Sequence, residues 1–169
     1  MRNMFDSRGP RWRGLGPTVV FLAALLMPAC DDSTTNIPNI PRAVIVVTVE
    51  PNPVIGVQNT LTGSVSAAYV VQIRELAGLG GAVNFVNSTA FDPDTGNQVA
   101  TNYFDSADLK VFVGSDRIEA EGELDVTQTT NYVLPDFQIP ADLTVSVQVL
   151  DDRGNLINSS TLVRVVPPV

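Results

Sequence analysis

The chain has 169 residues, no histidine, one cysteine and a formal net charge of −8. Without histidine there is no Ser-His or Cys-His nucleophile pair, no imidazole acid–base chemistry and none of the usual zinc sites. The dispersed acidic excess excludes nucleic acid, whose phosphates demand clustered Lys and Arg, and a lone cysteine excludes an internal disulfide framework.

The chain begins with Arg2, Arg8, Arg11 and Arg13, opposed only by Asp6. An uncharged apolar run from Val19 to Met27 follows. As a helix it rises only about 14 Å, against ~30 Å for a bilayer core, so it is too short for a permanent span. A basic region, a short apolar run and a small-residue boundary are the parts of a secretory signal. Its end, Leu26-Met27-Pro28-Ala29-Cys30, resembles the lipobox of bacterial lipoproteins. That resemblance implies cleavage between Ala29 and Cys30 and a diacylglycerol on the Cys30 thiol. Two or three acyl chains, at ~0.8 kcal/mol per buried methylene, hold a protein stably on a membrane. It also implies a bacterial cell-envelope location, periplasmic or surface-facing, with inner and outer membrane both left open.

Residues 1–29 therefore read as a signal, 30–42 as the lipidated cysteine and a tether, and 43–169 as one domain. The tether, DDSTTNIPNIPR, carries Pro38 and Pro41 and no periodicity. Extended, its dozen residues reach on the order of 35 Å.

From Ala43 the pattern is that of strands. AVIVVTVE is β-branched and apolar, and Pro51 and Pro53 break it before Val54 to Val57 resumes. A proline-bent strand suits a sheet edge. In Leu61 to Ile73 the odd positions are apolar and the even ones mostly polar, the mark of a half-buried strand. A glycine-rich loop over Leu76 to Gly81 precedes a weaker alternation over Val83 to Phe91 and a turn at DPDTGN. Val99 to Tyr103 is a return strand. Ser106 to Lys110 reads as one helical turn with Ser106 as N-cap and with Phe104, Leu109 and Phe112 facing inward. The threonine-rich stretch from Gly122 to Leu134 suits an edge. Leu143 to Val149 alternates cleanly, DDRGN signals a hairpin turn, and Ile157 to Val166 returns.

Seven or eight short strands with turn residues between them predict an all-β, antiparallel β-sandwich. The proline-bent first strand (VTVEPNPV), the long alternating second strand and the closing hairpin (LTVSVQVLDDRGNLINSSTLVRV) resemble immunoglobulin-like domains of bacterial surface lipoproteins. That fold carries no fixed activity.

Three groups of residues are candidates for chemistry. Asp92, Asp94 and Asn97 in DPDTGN are oxygen donors in one loop and so a calcium candidate, although their order departs from the EF-hand pattern. The competing reading is a turn made by aspartates, Pro93 and Gly96. DDRGN carries the same ambiguity, with Arg153 opposing a cation. Glu119, Glu121 and Glu123 share one face if extended, and paired carboxylates can run glycoside hydrolysis. Three acidic residues on a polar strand are more often a solvated face. The remaining aromatics read as core, and Trp12 falls in the signal. The sequence thus points to a non-enzymatic, lipid-anchored, immunoglobulin-like module with no cofactor, for an envelope protein partner or for structural spacing. The alternative is a calcium-dependent adhesion or carbohydrate-binding domain.

Overall fold

A computed structural model of the chain describes residues 41–135 and 138–168. Cys30, Ala29 and the tether up to residue 40 lie outside the described residues.

The domain is all-β, with nine strands and one short helix among the described residues. The strands are β1 (Ile45–Glu50), β2 (Val54–Gln58), β3 (Val65–Glu75), β4 (Gly81–Phe91), β5 (Gln98–Asp105), β6 (Arg117–Ile118), β7 (Glu123–Tyr132), β8 (Ala141–Asp151) and β9 (Leu156–Val166). The helix α1 (Ser106–Phe112) follows β5. The count exceeds the expected seven or eight because the prolines divide the first strand and a two-residue β6 pairs with β4. The pairing is mixed rather than purely antiparallel, since β2 runs parallel to β9.

β1 and β2 lie end to end along one edge of β3, both antiparallel to it, and β7 pairs along its other edge. β2 also reaches β9 through Val54 and Ile55, and the order continues β9–β8–β4–β5. Gly56 sits where this junction is tightest. A Cβ there would lie 2.9 Å from side-chain atoms of Ile139, Val165 and Val65, so only glycine lets β2 serve both partners.

The interior follows the period-two pattern. Odd residues of β3 and β8 and even residues of β7 are buried, and Val65, Val71, Ile73, Leu143, Val145 and Val149 are fully shielded. β7 donates to no strand but β3 among the described residues, as an edge strand does. The Tyr132 hydroxyl donates to the Ile139 carbonyl and ties down the connection to β8.

Several expectations need correction. Leu61 does not belong to the buried face of β3: it lies in the preceding turn, 94% exposed. The helix is capped by Asp105, one residue before Ser106. The Asp105 carboxylate accepts from Ala107 N and Asp108 N, and Asp108 returns a bond to the Asp105 N–H. The Ser106 hydroxyl donates instead to Asp116, which also pairs with Lys110 at 2.9 Å. Leu109 is buried as expected, but Phe112 is largely exposed.

Candidate functional site

Four arrangements carry the polar chemistry of the domain, and three of them turn inward. In the loop between β4 and β5, Asp92 Oδ1 accepts from Asp94 N at 2.9 Å and Oδ2 accepts from the Thr95 hydroxyl at 2.7 Å. Gly96 takes the left-handed φ of 71° that lets the loop close with a Gly96 N–H bond to the Asp92 carbonyl. The Thr95 hydroxyl, then the Asp94 N–H, hold the Asp92 carboxyl below its usual pKa. Asp94 and Asn97 are exposed on the same loop. The geometry is that of an aspartate-made turn, and a cation at Asp92 would have to displace two donors.

A second group lies where the chain enters β1. Glu75 accepts from five backbone N–H groups, those of Val44, Ala77, Gly78, Leu79 and Glu121. Asp151 accepts from the N–H groups of Ala43, Arg153 and Asn155 and from the Asn155 side-chain amide. Burial opposes the charge on both, but the hydrogen bonds outweigh it: Glu75 is held below its ordinary pKa and Asp151 falls to about 2. Neighbouring residues Ala43 and Val44 are thus pinned by carboxylates at the ends of two different strands, β8 and β3. Arg117, bonded to Asp152 at 2.6 Å, closes the same end.

The glutamates expected on one strand face do not share one. Glu121 has φ of 56° in a turn, Glu119 precedes that turn and only Glu123 lies in β7, where it pairs with Arg74 at 2.8 Å. Among the described residues no three or more Asp, Glu, His or Cys side chains converge on a point that would hold a metal.

A third group is buried between the paired strands β3 and β7 and strand β4, which pairs with neither. Tyr69 donates to Gln128 Oε1 and meets Thr130 Oγ1 at 2.8 Å, and the Ser88 hydroxyl from β4 donates to the same Gln128 oxygen. Gln128 is 2% exposed, and its Nε2 is without a hydrogen-bond partner. Burial raises the Tyr69 pKa, so its phenol stays protonated and serves as a donor. This cluster links β3, β7 and β4.

The fourth faces outward and sequence reasoning missed it. The pairing of β4 with β8 shifts register between Val83 and Phe85. Before this bulge the odd residues Gly81 and Val83 are buried; after it the even residues Val86, Ser88 and Ala90 are. The extra residue therefore turns Phe85 to the outer face, where its ring stacks on Tyr103 of β5 at 5.6 Å and 28°. Tyr103 is 54% exposed. Beside the pair, Asn84 donates to Gln148, Gln148 donates to Asn158, and Thr101 donates to Asn87, each at 3.0 Å. The only signal for it in the sequence was the weak alternation of Val83 to Phe91.

No protein-family model matches the chain, and no curated protein matches it. Solved structures do. An X-ray structure of a Northeast Structural Genomics Consortium target is similar over 73% of this chain and 87% of its own, with TM-score 0.57 and 14% identity. The putative ApaA protein from Bordetella pertussis is similar over 75% of this chain and 95% of its own, with TM-score 0.57 and 12% identity. At such identity the likeness speaks to the fold alone.

Proposed function

We propose that the chain is a non-enzymatic, lipid-anchored protein of the bacterial cell envelope whose domain is an immunoglobulin-like β-sandwich. The anchor reading rests on the Leu26–Cys30 segment behind a basic, apolar leader and ahead of a polar tether. The sandwich reading is supported by the strand order: β1–β3–β7 on one side, β2–β9–β8–β4–β5 on the other, with a split first strand serving both. In this role the tether holds the domain off the bilayer, as a module for an envelope protein partner or as a spacer.

The observation that carries the non-enzymatic reading is the state of the shielded carboxylates. General acids and bases need pKa values near the working pH. Glu75, Asp92, Asp116 and Asp151 are all shifted the other way, and their oxygens are filled by donors from their own loops and neighbours. Glu75 is spent on the backbone, Asp151 and Asp92 on backbone and side-chain donors, and Asp116 on the Ser106 and Lys110 side chains.

Mass spectrometry of the protein from its membrane fraction tests the anchor. The expected N-terminus is Cys30 bearing acyl chains, and Cys30→Ala releases the protein from membranes. A retained leader, or a Cys30→Ala form that stays membrane-bound, ends this reading. Turnover of an envelope substrate by the purified protein ends the non-enzymatic one.

A further inference from the structure

We propose that the outer face of β5, β4, β8 and β9 binds a neutral polysaccharide, with Tyr103 and Phe85 as the stacking platform. The strand register puts three rows side by side across this face. From β5 to β9 the rows are Asp105–Phe85–Gln148–Asn158, Tyr103–Asn87–Ser146–Ser160 and Thr101–Thr89–Thr144–Leu162. Of these twelve side chains only Asp105 is charged, and its carboxylate is taken up by the Ala107 and Asp108 N–H groups of α1, in a chain of net charge −8. The rows span strands about 4.8 Å apart, so the patch is broad and flat enough for an extended polymer.

Its chemistry selects the occupant. An aromatic ring offers a sugar an apolar platform, and the Tyr hydroxyl adds a polar handle at its rim. Amide and hydroxyl side chains both donate and accept, which suits the hydroxyls of a sugar better than carboxylates or phosphates, which only accept. A charged acidic polymer would meet no cation here and the repulsion of the whole acidic chain. A protein-docking face would bury its anchors at the centre; here the centre is polar, Asn87, Ser146, Thr89 and Thr144, and the apolar groups, the Phe85–Tyr103 pair and Leu162, lie at its margins. The amides are already aligned by the Asn84–Gln148–Asn158 chain, so less side-chain freedom is lost on binding.

The bulge is the second, independent sign. Without it Phe85 would continue the inward alternation of Gly81 and Val83. Bulges re-aim side chains next to working surfaces, and this one brings an aromatic ring out beside another. This face needs neither the lipid anchor nor calcium, so its failure would leave the anchor reading untouched.

The test is retention of the purified full-length chain, in detergent and with chelator, on amorphous cellulose, insoluble β-1,3-glucan and chitin, with polygalacturonate as the charged contrast. Retention on at least one neutral polymer is expected. Tyr103→Ala should weaken it by about tenfold and Asn158→Ala by about threefold, corresponding to one or two lost contacts. Phe112→Ala, whose ring packs at a tilt against Phe104 elsewhere, should leave it unchanged. Both substituted residues on the face are exposed, and melting curves verify that the variants fold. No retention on any neutral polymer, retention that needs calcium, preference for polygalacturonate, or retention unchanged in both face variants would overturn the proposal.

Discussion

The end of the domain where residues 43 and 44 enter β1 and the outer face of β5, β4, β8 and β9 use polar side chains in opposite ways. At the first, Glu75 and Asp151 are charged, shielded and saturated by backbone donors from their own and neighbouring loops. At the second, neutral amides, hydroxyls and a stacked aromatic pair point away from the core. Charge that is buried and saturated holds loops together and has nothing left for a ligand. Neutral groups on a flat exposed face add little to folding and remain for contact. Stability should therefore reside at one region and binding at the other.

The largest effect should come from breaking the clamped end. Asp151→Ala leaves the N–H groups of Ala43, Arg153 and Asn155 without their acceptor. At about 1–3 kcal/mol for each buried donor left unpaired, part of it recovered by water, a loss of roughly 2–4 kcal/mol and a Tm drop on the order of 10 °C are expected in a thermal melt. A drop as small as that of a surface substitution would mean the clamp is ornamental.

Acid should loosen the same end first. The folded pKa of Asp151 lies at about 2, below its ordinary 3.8, and that of Glu75 is also lowered. The unfolded chain then binds more protons, so the stabilisation is complete above the ordinary carboxylate values and is lost as pH falls towards about 2. Denaturant midpoints measured from pH 6 downward should fall through that window in the wild type and fall less in Glu75→Gln. An equal fall in both would place the acid sensitivity elsewhere.

A smaller effect is expected at the turn between β4 and β5. Asp92→Ala removes the acceptor for Asp94 N and the Thr95 hydroxyl and should cost about 1 kcal/mol. Millimolar calcium should leave the wild-type Tm in place, since a cation bound only to the native state would raise it. A clear upward shift abolished in Asp92→Ala would restore the calcium reading of Asp92, Asp94 and Asn97. Smallest of all, Arg74→Ala should change stability by under about 1 kcal/mol, because its bridge to Glu123 is solvent-exposed.

The parts of this arrangement that could be read in advance are those governed by period-two burial. Leu143, Val145, Val147 and Val149 face the core as their alternation with Thr144, Ser146 and Gln148 requires. The hairpin turn after β8 also forms as its Asp and Gly residues require, with Asp151 as its first acceptor. The outward aromatic pair was hidden because one extra residue in β4 inverts the alternation, and nothing local distinguishes Asn84 as that residue. Asp105 and Ser106 are both good N-caps, so only the reciprocal bond from Asp108 decides between them. The clamp by Glu75 joins residues distant in the chain, Val44 and Glu121 among them, and such contacts leave no periodic trace.

The most direct test runs Tyr103→Ala and Asp151→Asn side by side through a thermal melt and a neutral-polysaccharide retention assay held below both melting temperatures. The division of labour predicts a crossed result: Tyr103→Ala keeps its Tm and loses retention, whereas Asp151→Asn loses Tm and keeps retention. If both variants lose both properties together, or Tyr103→Ala lowers the Tm while retention survives, the separation of a structural end from a binding face is wrong.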